Sequence, residues 1–125
     1  MRDAAYAALD GPLHALVRRD APPGALAPLT VRDAEGGRSL PTFTTADRAD
    51  AHRAALPADV RAAARTYAVR ADDPRAKEEL LRAARALGAT RLEVDPDPAL
   101  RPAATLPLDL ALGHVVASKN ASACL

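Results

Sequence analysis

Apolar positions recur at steps of three and four through Tyr6, Leu9, Leu13, Leu16 and Val17, the spacing of one helical face. Asp10, Gly11 and Pro12 interrupt that run, because Asp10 can cap a fresh start and proline is tolerated in a first turn. The pattern therefore predicts a kinked helix or two short ones, ending near Arg19. Ala21, Pro22, Pro23 and Gly24 then stop the chain and link it onward. Two apolar stretches follow, Leu26 to Val31 and Leu40 to Phe43, around Asp33, Gly36 and Gly37, which supply the turn chemistry of a β-hairpin with a longer loop. Pro28 and Pro41 cannot donate to a ladder, so these strands are expected at an edge or with the prolines at their ends.

The segment RSLPTFTTADRADA holds the chain's only phenylalanine. Thr44 reads as a helix N-cap, Asp47 as the acid of a capping box, and Phe43 as a hydrophobic staple that folds back on the new helix. No second aromatic lies nearby to make a stacking platform, so Phe43 is assigned to the core. The helix is expected to run to about Ala55, with a second short helix at 58 to 66. Thr66 to Arg70 alternates and reads as a strand. Asp72, Asp73 and Pro74 give a cap followed by a first-turn proline. In the helix behind them Leu80, Leu81, Ala84 and Leu87 are expected to face inward, Glu78 and Arg82 to pair outside, and Gly88 to cap the C-terminus. Residues 90 to 95 alternate as a strand with Leu92 and Val94 on one face, ended by Pro96. Residues 96 to 107 read as irregular, 108 to 118 as a short apolar helix or strand, and the last residues as a loose tail.

The 125 residues suit one domain, 1–117, followed by a flexible tail, 118–125. Much of the apolar content is alanine, and the aromatics are Tyr6, Phe43 and Tyr67 alone, so the core must rest on Leu and Val. The 17 basic and 16 acidic residues are interleaved, and Lys77 and Lys119 are the only lysines. With no basic stripe, no nucleic-acid partner is expected. No run approaches the roughly 20 apolar residues of a membrane span. The opening residues lack the apolar stretch of a secretory signal, so a cytoplasmic location is expected. The one cysteine, Cys124, rules out an intrachain disulfide.

The fold class these elements imply is α+β: an N-terminal helix first, then a small mixed sheet with an N-terminal hairpin, flanked by three to four helices. In this order the motifs LPTFTT and ELLRAARALGATRLEVDP resemble the hallmarks of SseB-type domains, the family of the enhanced serine sensitivity protein. Leu40, Pro41, Phe43, Thr44 and Thr45 match the first motif. Leu80, Leu81, Gly88 and Pro96 match the second, and Asp95 stands where that family usually has Asn. The resemblance covers roughly residues 25 to 112. It implies a small α/β domain and carries over no catalytic residue.

The chemistry-bearing residues form no motif. His14, His52 and His114 lie far apart, Cys124 has no partner cysteine, and no phosphate loop, nucleophile elbow or dinucleotide fingerprint is present. No catalytic, cofactor-binding or metal-ligating residue is expected. Two functional readings remain. One is a non-enzymatic module that binds another protein or a peptide on a sheet edge or apolar groove, as a monomer or weak dimer. The other is a precursor whose folded body is recognised by a modifying enzyme and whose tail carries the modified residues, Ser118, Ser122 or Cys124.

Overall fold

The computed structural model describes residues 3–22, 24–32, 36–96 and 104–123. Helix α1 (Asp3–Asp10) leads into β1 (Leu13–Arg18), followed by β2 (Val31–Arg32), β3 (Arg38–Thr42), α2 (Ala46–Ala54), α3 (Ala58–Ala63) and β4 (Ala64–Val69). Helix α4 (Pro74–Ala86), β5 (Ala89–Val94), β6 (Ala104–Pro107) and α5 (Leu108–Ala123) complete the fold. The class is α+β as expected, with five helices among the described residues rather than three to four.

The described residues form two sheets. β1 and β4 make an antiparallel pair, and the other sheet runs β2-β3-β5-β6 with β3 and β5 parallel. They are joined where His14 and Phe43 exchange both backbone hydrogen bonds, each 2.8 Å. This join explains the position of Pro41 inside β3. The Phe43 N–H points to His14, and the Thr42 carbonyl accepts from Asp95 of the β5 side. Strand alternation therefore turns the Pro41 nitrogen away from β5. β2 ends opposite Ser39, so Pro41 sits in the gap between β2 and β1, where no donor is needed.

The largest departure from the sequence pattern is at Leu13–Arg18, which forms a strand instead of continuing the helical face. Gly11 and Pro12 end α1, and the six residues gain a full ladder with β4. Leu13, Ala15, Leu16 and Val17 are all buried, so this strand is covered on both faces and shows no alternation. Residues 104 to 107 likewise pair with β5 where an irregular segment was expected. Leu87 is 49% exposed instead of facing inward, because α4 ends there and Gly88, at φ 96°, turns the chain into β5.

The main core joins Leu9, Leu13, Leu40, Leu80, Leu81 and Leu92 to Leu106, Leu108 and Val115 from the C-terminal elements. Phe43 is fully buried outside this cluster, with its ring 5.1 Å from that of His52 on α2. Thr45, not Thr44, caps α2: its hydroxyl accepts from the Arg48 N–H. Asp47 is thus one place short of a capping-box acid, and Phe43 lies two residues before the cap. α5 continues through Ala123 and packs along α4, so Ser118 and Ser122 lie within a helix where loose chain was expected. Cys124 lies outside the described residues.

Phe43 is fully buried, and its removal would leave a void beside the His52 ring. Phe43→Ala should destabilise the protein by about 3–5 kcal/mol in chemical denaturation. A loss below about 1 kcal/mol would show that the ring does not hold α2 on the sheet.

Candidate functional site

The outer edge of β4 is the longest open strand edge among the described residues. In the β1–β4 ladder Arg19 donates to the Ala63 carbonyl at 2.7 Å, so Arg65, Tyr67 and Val69 turn their backbone groups toward β1 and Thr66 and Ala68 turn theirs outward. Among the described residues no backbone partner meets those outward groups. Ala68 is exposed and Thr66 and Tyr67 are half-buried. The start of the edge is closed differently: the Ala64 carbonyl accepts from Arg19 Nε at 3.0 Å and Arg53 Nε at 2.9 Å. Arg53 also donates to the Arg61 carbonyl, and Arg61 to the Ala54 carbonyl. The Arg65 guanidinium lies 5.8 Å from the Tyr67 ring centroid. Asp50 accepts from the Thr66 hydroxyl at 2.9 Å, which fixes α2 beside the strand.

The residues quoted for the family resemblance converge elsewhere. The Asp95 carboxylate accepts from both the N–H and the hydroxyl of Thr44, each at 2.8 Å. Asp95 itself is left-handed at φ 49°, a region that Asp and Asn adopt more readily than most side chains. The Thr42 hydroxyl donates to the Glu93 carbonyl at 2.7 Å. Leu40, Pro41, Phe43, Thr44, Asp95 and Pro96 thus form one corner where β3 and β5 end together. An acceptor is what that corner asks of position 95, and Asp supplies it. Leu80 and Leu81 are core residues on α4, and Gly88 ends that helix.

A cavity of about 220 Å³ opens between α1, the start of α4 and α5, lined by Leu9, Asp10, Asp72, Lys77, Val115 and Ser118 among others. Lys77 is 3% exposed, and its ammonium donates to the carbonyls of Leu9 at 2.7 Å and Ala71 at 2.9 Å. It closes the C-terminal end of α1 and holds the β4–α4 connection against it. Burial lowers the Lys77 pKa, and the carboxylates of Asp10, Asp72 and Asp73 oppose that shift. The cavity falls below the roughly 300–1,000 Å³ usual for ligand pockets, and Lys77 has a structural duty there. Nearby, His114 bonds Asp10 at 2.8 Å, and Glu78 holds both Arg82 and Lys119. The Lys119 contact ties the last turns of α5 to α4. The two lysines, Lys77 and Lys119, in a chain otherwise rich in arginine were the available sign of these contacts.

Among the described residues, no group of His, Cys, Asp and Glu could hold a metal ion, and no helix is long and apolar enough to cross a membrane. Ser118 lies on α5 at the cavity rim, apart from the β4 edge. No protein-family model matches the chain, and no curated protein is similar to it at a significant level.

Two outcomes follow from this geometry. Asp95→Ala should cost about 1–3 kcal/mol, because Thr44 loses both acceptors, while Asp95→Asn keeps one and costs less; equal losses in denaturant melts would contradict the role of the corner. Burial lowers the His52 pKa below its ordinary value of 6.5. The unfolded chain then takes up the proton first, so stability should fall as pH drops below about 6.5 and level off beneath the folded-state pKa. His52→Gln should flatten that part of the profile measured between about pH 7.5 and 5, and an unchanged slope would show that His52 is not its source.

Proposed function

We propose that this chain is a non-enzymatic protein- or peptide-binding module of the cytoplasm, which takes a partner's extended segment as an added strand on the outer edge of β4. The observation that carries this reading is the pair of outward backbone sites at Thr66 and Ala68, which meet no partner among the described residues. Strand addition uses such main-chain groups for affinity and neighbouring side chains for selection. The other sheet supports the choice of edge: β2 is two residues long and β6 four, against six in β4. The outer edge of the β2–β3 hairpin, two residues long at β2, is accordingly too short to serve.

The likeness of LPTFTT and ELLRAARALGATRLEVDP to SseB-type motifs fits this reading, since it implies a small α/β domain and carries over no catalytic residue. The precursor alternative requires an extended tail, whereas Ser118 and Ser122 lie on α5. Charged side chains around β4 discourage pairing between copies, so a monomer or weak dimer is the expected state.

Ala68 is the residue with which to test the module. Its N–H points outward and takes no part in the β1 ladder, so Ala68→Pro removes an edge donor while leaving that ladder in place. Strand-forming peptides should shift the amide resonances of Thr66 and Ala68 in the parent protein, and the Ala68→Pro variant should fold yet lose binding. Peptide shifts confined to the Lys77 cavity or to α5 would contradict the reading.

A further inference from the structure

The cavity between α1, α4 and α5 is separate from the β4 edge, and its chemistry does not depend on strand addition. Leu9 of α1, Lys77 of α4 and Val115 of α5 are all buried and line it from three helices. The Lys77 ammonium donates to the carbonyls of Leu9 at 2.7 Å and Ala71 at 2.9 Å. An ammonium has three N–H groups, so one remains to donate. No side chain among the described residues accepts it. Asp10 lines the same cavity, and of the nearby acids its carboxylate bears most on this ammonium. The other two are committed: Asp72 pairs with Arg70 at 3.0 Å, and Asp73 caps the Ala76 N–H. The cavity thus holds a spare ammonium donor together with a carboxylate that is steadied by its 2.8 Å bond to His114.

The cavity's size narrows the ligand. At roughly 30 Å³ for each water-sized group, about 220 Å³ admits on the order of seven non-hydrogen atoms. A lone anion on Lys77 would face the Asp10 carboxylate, and a lone amine on Asp10 would face the Lys77 ammonium, so each meets one like charge. A molecule that carries both charges a few bonds apart avoids both conflicts. We infer that this cavity binds a small zwitterion of the α-amino acid class, with its carboxylate on Lys77 and its ammonium on Asp10. Both contacts are charge-assisted hydrogen bonds, the stronger kind. Ser118 at the rim adds a hydroxyl that can donate to the same carboxylate. Leu9, Pro74 and Val115 give an apolar wall against which a short side chain packs, so a few polar groups orient the ligand and the rest encloses it. The two carbonyl bonds of Lys77 also fix its ammonium before a ligand arrives, which leaves little ordering for binding to offset.

The test is an amide NMR titration of the full chain with alanine as the zwitterion, acetate as the anion, ethylamine as the cation and tryptophan as an oversized zwitterion. Alanine should move the resonances of Asp10, Ala71, Lys77 and Ser118 to saturation. It should leave those of Thr66 and Ala68 in place, which separates this outcome from strand addition. Acetate and ethylamine should bind at least about tenfold more weakly than alanine, and tryptophan should not enter. Asp10→Asn keeps an acceptor for His114 but loses the charge, so it should weaken alanine about tenfold without weakening acetate. Lys77→Met should abolish binding of alanine and acetate alike. Lys77 also clamps α1, so where that variant fails to fold the Asp10→Asn result decides. Equal affinity for alanine and any of the other three ligands would overturn the inference, as would an Asp10→Asn variant that binds alanine like the parent. No saturable shift with alanine up to about 10 mM would overturn it too.

Discussion

The two hydrogen bonds exchanged between His14 and Phe43 determine how this chain closes. They fasten the β1–β4 pair to the end of β3, and they exist because Phe43 leaves β3 just before α2 begins. A ring that is fully buried at that joint excludes water from the bonds and holds α2 across the sheet through His52. With β1 occupied on one side by β4 and on the other by this joint, the outer side of β4 at Thr66 and Ala68 meets no backbone partner among the described residues. The open edge is thus a consequence of how the two sheets are connected.

Large parts of this arrangement are legible in the sequence. The cap at Asp73, the first-turn proline at 74, the apolar spacing of Leu80, Leu81 and Ala84, and the glycine at 88 all describe α4, because each acts within a single helix. The alternation of β5 is equally local. Leu13–Arg18 is different. Both faces of β1 are buried, so its apolar residues are nearly continuous and their spacing also suits a helix; only the ladder with β4, some fifty residues away, decides the matter. β6 and the helical continuation of α5 also depend on distant partners, β5 for one and the Glu78 contact for the other.

The candidate site was less legible than the fold. A strand at Thr66 to Arg70 can be read from alternation, but its position at an edge is a property of topology. The arginines around it are spread from position 19 to 65, so no cluster shows in the sequence, and the interleaving of charges suggests a featureless surface. Short-range pairs such as Arg18 with Asp20 and Arg70 with Asp72 form within a few residues, while Arg19 and Arg53 reach the Ala64 carbonyl from distant points in the chain. The Asp95 corner shows the opposite case. Its residues were visible as motifs, and the structure gives them a mechanical purpose, joining the ends of two parallel strands through one carboxylate.

Native-state amide hydrogen exchange tests the central claim, that β4 has one paired and one open side, most directly. Along this strand the Tyr67 and Val69 amides should be protected by β1, while those of Thr66 and Ala68 exchange far faster, near the rate of local opening. The His14 and Phe43 amides should rank among the slowest in the protein. Protection of Thr66 and Ala68 equal to that of Tyr67 would show that the edge is covered, and would contradict the account.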